Sequence, residues 1–151
     1  MTIPNEKIAP EMRESGEMYL ETILILSEKQ PVVRSIDVAG EMGFSRPSVS
    51  RAVATLKKGG YITVEKSGDL RLTETGREIA VKIYERHRVI SRLLKKIGVP
   101  EKVADADACR IEHVISDETF SALKNSITCY KLNPRAARSR IPGDFGLVAF
   151  L

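Results

Sequence analysis

The sequence predicts a mainly α-helical protein that contains one small β-hairpin. Apolar residues recur at three- and four-residue spacing through most of the chain, which is the period of an amphipathic helix. Two β-prone runs, at residues 61–64 and 70–72, stand apart from this pattern, and the Ser-Gly-Asp stretch between them is typical of a tight turn. We therefore expect helices, then a hairpin, then further helices.

Composition limits the classes of protein that this chain can represent. With 151 residues, 42% of them hydrophobic and 29% charged, it is long enough for one compact domain or two small ones sharing a surface. It has no run of 18 apolar residues, and its N-terminus lacks the apolar core of a signal peptide. We therefore expect a cytoplasmic protein without a membrane partner. The two cysteines, Cys109 and Cys129, are too few for a disulfide framework, and Cys129 is interpreted as a buried free thiol.

Three helices are expected before the hairpin. The first has Ser15 as its N-cap and ends before Pro31, and its apolar face is formed by Tyr19, Leu20, Ile23, Leu24 and Leu26. A short second helix ends at Gly43, and its inward side chains are Ile36, Val38, Ala39 and Met42. The third has Ser45 as its N-cap and Pro47 in its first turn, and its buried side is formed by Val49, Val53 and Leu56.

This order of elements is that of a winged helix-turn-helix domain, which we place at residues 1–73. The third helix carries four basic residues and no acidic one between positions 46 and 58. A basic helix with hydroxyl groups in its first turns suits the major groove of DNA, whereas lysines beyond it suit phosphates. The candidate DNA contacts are Arg34, Ser45, Arg46, Pro47, Ser48, Ser50, Arg51, Lys57, Lys58 and, in the wing, Lys66. A solvated basic helix in an unrelated protein is the alternative, which the adjoining hairpin disfavours.

The following segment, residues 74–130, is expected to be all helical. Thr75 and Glu78 have the spacing of a capping box before a long helix that ends at Gly98. Another helix is expected at residues 103–115, and a last one begins after Ser116 as its N-cap. After Cys129 the chain is basic and contains Pro and Gly, so residues 131–151 are expected to form an irregular basic tail.

Three side chains that can bind a metal share one face of the helix expected at residues 103–115. Cys109, Glu112 and His113 are three and four positions apart. Thiolate, carboxylate and imidazole together suit a borderline transition ion such as Fe(II), Co(II), Ni(II) or Zn(II), and are poor ligands for Ca or Mg. Because one helical turn rarely supplies enough ligands, we expect further ligands from other helices, and the candidates are Met18, Glu21 and His87.

These residues also have interpretations without a metal. Met18 suits a core, Glu21 a solvated helix face, and His87, between two arginines, an exposed position. A catalytic pair of Cys109 and His113, as in a thiol hydrolase, is disfavoured because no glycine-rich loop or third orienting group accompanies it. We therefore expect a protein that is not an enzyme. The main alternative is a winged-helix regulator that senses a small molecule or thiol oxidation at Cys109.

From Ser15 to Leu123, about three-quarters of its length, the chain resembles the diphtheria toxin repressor family of iron- and manganese-dependent transcriptional repressors. The likeness is carried, in order, by "EMYLETI", "RPSVSRAVATLKKGGYI", "LTETGREIA", "ERHRVISRLL" and "DACRIEHVISDE". The resemblance implies a homodimer that binds palindromic operator DNA when Fe(II) or Mn(II) is bound, with residues 74–130 serving dimerisation and metal binding. It also implies control of metal homeostasis genes, and a short two-domain form without the family's SH3-like domain.

The resemblance further implies a set of metal ligands. The iron branch of the family matches this chain at Met18, Cys109, Glu112 and His113. Glu21 matches a ligand position of the manganese branch, and His87 one that both branches use. Ser91 and Asp105 stand where the iron branch has a Glu and a His of a second site, so that site is absent or is built differently from His87, Glu21 and Asp105.

Overall fold

The computed structural model describes the backbone of residues 10–132 and the side chains of residues 14–127. Three helices come first: α1 (Pro10–Lys29), α2 (Ser35–Met42) and α3 (Arg46–Lys58). The hairpin then pairs β1 (Ile62–Val64) with β2 (Leu70–Leu72) in antiparallel register, with Ile62 opposite Leu72. The chain continues through α4 (Glu74–Lys96), α5 (Glu101–Ile111) and α6 (Asp117–Leu132). The predicted fold class, a winged helix-turn-helix followed by a helical segment, is confirmed.

Helix α1 is central to the fold, because it packs against α2, α3, β2 and α4. Its predicted apolar face is buried, and it joins one hydrophobic cluster with the buried side of α3; together these contribute Tyr19, Leu20, Ile23, Leu24, Leu26, Val49, Val53 and Leu56. Each large apolar side chain buried in this way stabilises the fold by about 1.5–3 kcal/mol. One helix therefore connects the helix-turn-helix with the helices that follow the hairpin.

The hairpin contacts the rest of the fold at both of its ends. Leu70 N–H donates to the carbonyl of Val33, and the carboxylate of Asp69 accepts from the N–H of Val33 at 3.0 Å. At the other end, α4 begins so close to the hairpin that a Cβ on Gly76 would lie 2.0 Å from the carbonyl oxygen of Tyr61. Glycine is therefore required there, and the wing is held against both α4 and the α1–α2 connection.

The ends of α2 and α3 are as the sequence predicts. Gly43 adopts the left-handed conformation, φ 67°, which ends α2 and which glycine adopts without strain. Ser45 is the N-cap of α3 and accepts a hydrogen bond from the N–H of Ser48, with Pro47 in the first turn. The turn between the two helices is consequently short, as a helix-turn-helix requires.

Two predicted N-caps are wrong. Helix α1 begins at Pro10 rather than after Ser15, because the residues between them, Glu-Met-Arg-Glu, favour a helix and proline is tolerated in a first turn. The cap of α4 is Thr73 rather than Thr75, since Thr73 accepts a hydrogen bond from the N–H of Gly76 and donates one to the carbonyl of Gly60. The hydrogen bond from Thr73 to the hairpin explains why Thr73, and not Thr75, is the N-cap of α4.

Three further expectations need correction. Ile36 is 52% exposed, because α2 is short and directs Val38 and Ala39 to the core instead. The helix expected at residues 103–115 spans Glu101–Ile111, and the chain then turns through residues 112–115. The last helix begins after Ser116 as predicted, but it continues past Cys129 to Leu132. The rest of the predicted irregular tail, and the side chain of Cys129, lie outside the described residues. Within residues 10–132, no helix is long and apolar enough to cross a membrane.

Candidate metal centre and nucleic-acid interface

Three of the six predicted metal ligands meet in space. Ligand atoms of Glu21, His87 and Glu112 all lie within 4.8 Å of one another. Glu21 comes from α1, His87 from α4, and Glu112 from the first residue after α5. The side chains are buried or half-buried, so the site lies where three elements pack together. The expected convergence of ligands from separate helices is therefore present for these three residues.

Glu112 is the centre of this cluster. Its side chain is fully buried, and its Oε2 lies 2.8 Å from Nδ1 of His87. Its other oxygen, Oε1, lies 3.3 Å from Nε2 of His113, but neither of these two buried atoms has a hydrogen-bond partner among the described residues. Burial opposes the charge on Glu112, yet its contacts with the two histidines and their charges outweigh burial and hold the pKa of Glu112 below its usual value. Glu112 therefore keeps its negative charge in the interior.

Glu21 places a second carboxylate beside the first. It is only 7% exposed, and burial, together with the negative charge of Glu112, raises its pKa to about 7. The pKa of His87 is also raised, chiefly by its hydrogen bond to Glu112. Two carboxylates and an imidazole in a buried volume favour a positive charge there, whether a proton or a metal ion supplies it.

His113 lies at the edge of the cluster. Its Nδ1 is 2.9 Å from Oε2 of Glu17 on α1, and its side chain is only 4% exposed. Burial lowers the pKa of this imidazole, but the contacts with Glu112 and Glu17 outweigh burial and raise the pKa to about 9. His113 faces Glu112 with Nε2 although it lies outside the cluster of three.

Two further ligands predicted from the sequence carry sulfur. Met18 and Cys109 are both half-buried, and Cys109 lies outside the cluster of three. Burial raises the pKa of the Cys109 thiol, and the charges of Glu112 and Glu21 raise it further. The thiol is therefore near both carboxylates, and in the metal-free protein it is protonated at neutral pH.

The residues present fit a divalent transition metal. Buried polar atoms normally have hydrogen-bond partners, but among the described residues Oε1 of Glu112 and Nε2 of His113 have none. Both atoms are therefore available to bind a metal ion. Carboxylate, imidazole and thiol donors together are the set that Fe(II) and related first-row ions accept. The site thus offers more ligand atoms than internal hydrogen bonds use.

A different arrangement occupies the region of the second site. Ser91 donates a hydrogen bond to Asp105, and Nζ of Lys95 lies 2.9 Å from the same carboxylate and 3.1 Å from Glu101. The hydrogen bonds of Ser91 and Lys95 hold the pKa of Asp105 below its usual value. The ammonium of Lys95 thus supplies the positive charge beside Asp105, and His87 and Glu21 turn to Glu112 instead.

The predicted DNA contacts form an exposed surface on the helix-turn-helix. All ten are exposed except Ser48, which is half-buried: Arg34, Ser45, Arg46, Pro47, Ser48, Ser50, Arg51, Lys57, Lys58 and Lys66. At the start of α3, Oγ of Ser45 donates to Oγ of Ser48 at 2.9 Å, and Nη2 of Arg51 donates to the same Ser48 oxygen at 3.4 Å. The basic side chains therefore extend from the protein beside hydroxyls that are already oriented.

Two residues of this region were missed by the sequence reasoning. Glu17 bonds His113 across 96 positions of sequence, and no spacing rule points to it. Arg86 is buried, donates to the carbonyls of Glu112 and Ile115, and pairs with Asp117. The burial of Arg86 could have been suspected from the sequence, because Arg86 occupies a position of the long helix where the helical pattern predicts an apolar residue.

These features define a class of protein, in which a winged helix-turn-helix is joined through α1 to a helical segment with a buried carboxylate–imidazole cluster. Two models of one family match the chain. The N-terminal DNA-binding domain of iron-dependent repressors matches residues 11–70, and their metal-binding and dimerisation domain matches residues 73–139. The chain belongs to the iron-dependent repressor family.

Relatives and solved structures agree with this assignment. The chain is 38% identical over 123 residues to the diphtheria toxin repressor of Corynebacterium jeikeium, a match that covers 80% of this chain and 51% of the relative. It is 37% identical over 109 residues to the iron-dependent repressor IdeR of Mycobacterium tuberculosis, covering 72% and 47%. It therefore spans about half the length of these relatives.

Two solved structures share the fold. The manganese regulator SloR matches with a TM-score of 0.68 and 27% identity, over 75% of this chain and 53% of that one. The IdeR protein of T. acidophilum matches with a TM-score of 0.67 and 26% identity, over 74% and 53%. The fold found here is thus shared with regulators named for both metals.

Proposed function

We propose that this protein is a metal-dependent transcriptional repressor that binds palindromic operator DNA as a homodimer when Fe(II) or Mn(II) is bound. The genes it controls would be those of metal homeostasis. The observation that carries the proposal is the cluster of Glu21, His87 and Glu112, because its residues come from α1, from α4 and from the end of α5. Membership of the iron-dependent repressor family supports the same function.

The proposed division of labour follows the elements. Residues 1–73 form the DNA-binding domain, residues 74–130 the dimerisation and metal-binding domain, and residues 131–151 a tail to which we assign no function. Helix α1 belongs to the first domain and yet packs against α4 of the second. A ligand on α1 is therefore in a position to affect how the two domains are joined.

The proposed metal ligands are Met18, Glu21, His87, Cys109, Glu112 and His113. A bound divalent ion would supply the positive charge that the buried carboxylates of Glu21 and Glu112 attract. Glu112 would hold the site together from the turn after α5, since it already contacts both His87 and His113. Co(II), Ni(II) and Zn(II) are expected to substitute in vitro because the ligand types accept them.

The connection from this site to DNA runs along α1. Tyr19, between Met18 and Glu21 in sequence, is buried, and its ring meets that of Phe44 edge-on at a centroid distance of 6.1 Å. Phe44 immediately precedes Ser45, the N-cap of α3. A change in the position of α1 would thus move the start of the recognition helix, α3. A coupling free energy of about 1–3 kcal/mol per site is ordinary for such linkage.

On the DNA side, α3 is the recognition helix. The first turns, with Ser45, Arg46, Pro47, Ser48, Ser50 and Arg51, would meet base edges in the major groove. The remaining basic residues, Arg34, Lys57, Lys58 and Lys66, would contact phosphates. Two such helices in a homodimer read two half-sites, which is why a palindromic operator is expected.

The choice between iron and manganese rests on the sulfur ligands. A thiolate from Cys109 and a thioether from Met18 are softer than carboxylates and favour Fe(II) over Mn(II), whereas Glu21 adds a ligand that suits Mn(II). We therefore propose Fe(II) or Mn(II) as the corepressor. The role is regulatory rather than enzymatic, and a repressor of chromosomal genes would act in the cytoplasm.

The experiment is a metal-by-metal DNA-binding titration. Purified protein is added to the genomic fragment upstream of its own gene, without oxygen, in the presence of a chelator or of Fe(II), Mn(II) or Zn(II). We expect operator affinity to rise by about 5–150-fold with a competent metal. Equal affinity with the chelator and with every metal would contradict the proposal.

A further inference from the structure

Glu17 contacts the outer nitrogen of His113. Its Oε2 lies 2.9 Å from Nδ1, and the two side chains are only 16% and 4% exposed. Glu17 stands four positions before Glu21, so the two carboxylates share one face of α1. This contact crosses from α1 to the turn after α5, as the metal cluster does, but it uses a different residue pair.

The inner nitrogen of the same ring has no hydrogen-bond partner among the described residues. Nε2 lies 3.3 Å from Oε1 of Glu112, inside the protein. An imidazole binds a cation only through a nitrogen that carries no proton, and the other nitrogen then keeps its N–H. The group that accepts that N–H therefore decides which nitrogen faces the metal.

We infer that Glu17 is a positioning residue, which accepts the Nδ1–H of His113 and so directs Nε2 toward the metal site. This inference rests on the proposed function, because it treats His113 as a ligand. Glu17 is not part of the cluster of Glu21, His87 and Glu112, and it meets the edge of the imidazole that is turned away from Glu112. It acts on the metal through His113 alone.

The contact also joins two parts of the fold. Residues 112–115 form the turn that carries both Glu112 and His113, and Glu17 holds this turn against α1. Releasing Glu17 would leave Nδ1–H without its acceptor and allow the ring to turn. The imidazole of His113 would then have to be ordered each time a metal binds. This cost lowers the affinity for the metal although no ligand is removed.

The experiment compares Glu17→Ala, Glu17→Gln and the control Glu28→Ala, which changes an exposed residue of the same helix. The first readout is NMR of protein labelled with ¹⁵N-histidine, before and after loading with Zn(II), which follows the Nδ1–H proton of His113. The chain has two histidines, so the spectra are simple to assign. The second readout is Zn(II) affinity measured by competition with a chelator.

In the wild type we expect a slowly exchanging Nδ1–H signal from His113, with and without Zn(II). Glu17→Ala should lose this signal and bind Zn(II) about 10–100-fold more weakly. Glu17→Gln should restore most of both properties, because its amide oxygen accepts the same hydrogen bond. Glu28→Ala should match the wild type in both readouts.

Two results would overturn the inference while the proposed function stands. One is a Glu17→Ala variant that keeps the protected Nδ1–H signal and the wild-type Zn(II) affinity. The other is a Glu17→Gln variant that binds Zn(II) as weakly as Glu17→Ala although its Nδ1–H signal is intact, which would make Glu17 a ligand itself. A wild-type protein that binds no Zn(II), Mn(II) or Fe(II) would overturn both the inference and the proposed function.

Discussion

His87 and Glu112 are 25 residues apart in sequence, and the Nδ1 of the histidine lies 2.8 Å from Oε2 of the glutamate. The pair joins α4 to the end of α5 inside the candidate metal site. Both partners are also proposed ligands of the metal, and the contact is shorter than the 3.3 Å between Glu112 and His113. Its roles in folding and in metal binding can be separated by substitution.

The first prediction concerns His87→Gln. The amide of glutamine can donate a hydrogen bond toward Glu112, so the free energy of unfolding of the metal-free protein should change by no more than about 1 kcal/mol. Affinity for Mn(II) should fall by at least about 100-fold, because a nitrogen ligand is lost. Calorimetric titration and urea unfolding measure the two effects. An exposed neighbour on the same helix, changed as Arg92→Gln, serves as the control.

The second prediction concerns the sulfur of Cys109. If its thiolate binds the metal, protein loaded with Co(II) should show the near-ultraviolet charge-transfer absorption of a cobalt–thiolate bond. Cys109→Ser should lack this band and should shift metal preference away from Fe(II), since oxygen is a harder ligand than sulfur. A wild-type cobalt spectrum without the band would remove Cys109 from the ligand set.

The same residue distinguishes a metal sensor from a thiol-oxidation sensor. Burial, with the charges of Glu112 and Glu21, raises the pKa of the Cys109 thiol, so little reactive thiolate is present at neutral pH. We expect the metal-free protein to react slowly with peroxide and to keep its DNA affinity when it does. Rapid oxidation with loss of operator binding would favour the redox alternative.

The third prediction separates base contacts from phosphate contacts on α3. Arg51 is exposed beside Ser48, near the start of the helix, whereas Lys58 is in its last turn. Arg51→Ala should cost about 1–3 kcal/mol of operator binding and relax the preference at one position of each half-site. Lys58→Ala should weaken all sequences alike and reduce the salt slope by about 1.

Selection from a randomised operator library and titrations at several salt concentrations measure these effects. An Arg51→Ala variant with an unchanged sequence preference would show that Arg51 does not read bases. A Lys58→Ala variant with an unchanged salt slope would remove Lys58 from the phosphate contacts.

The sequence determines much of this site because helical spacing is a local property. The spacing of Cys109, Glu112 and His113 predicts that they lie together, and the histidine and glutamate of other helices are chemically matched to them. In the structure α5 ends at Ile111, so Glu112 and His113 lie in the turn that follows it. The start of the recognition helix can likewise be predicted from the sequence, since its N-cap and its first-turn proline lie within three residues of each other. Such features need no knowledge of tertiary contacts.

Other features depend on which helices meet, and local spacing does not reveal them. Glu17 meets His113 only because α1 packs against the turn after α5, and Lys95 meets Asp105 because α4 packs against α5. The end of α5 at Ile111 is a further case, since the apolar pattern continues past it and the sequence alone extends the helix. The capping choice of Thr73 over Thr75 likewise follows from a bond to the hairpin.

The fourth prediction is a pH dependence that arises at the wing. The N–H of Val33 and the guanidinium of Arg71 hold the pKa of Asp69 below its ordinary value of 3.8. Because the pKa is lower in the folded state, ionised Asp69 stabilises the fold at pH values above the ordinary aspartate pKa. This stabilisation is lost as the pH falls through the pKa of the folded state. Asp69→Asn keeps an acceptor for Val33 but removes the charge.

Urea unfolding at pH values from about 7 to 2 tests this effect. Relative to the wild type, Asp69→Asn should be less stable at pH 7. The difference in free energy of unfolding should decrease once the pH falls below the ordinary pKa of aspartate. A difference between the two proteins that stays constant across this range would show that the charge of Asp69 does not stabilise the wing.

The measurement that tests the central claim most directly is operator affinity of the Cys109→Ala, Glu112→Ala double variant, compared with the wild type, with and without Fe(II) or Mn(II). Circular dichroism first establishes that the variant is folded. We predict that the metal strengthens binding of the wild type and leaves binding of the double variant unchanged. A folded double variant whose affinity still rises with metal to the wild-type extent would show that these residues are not the switch.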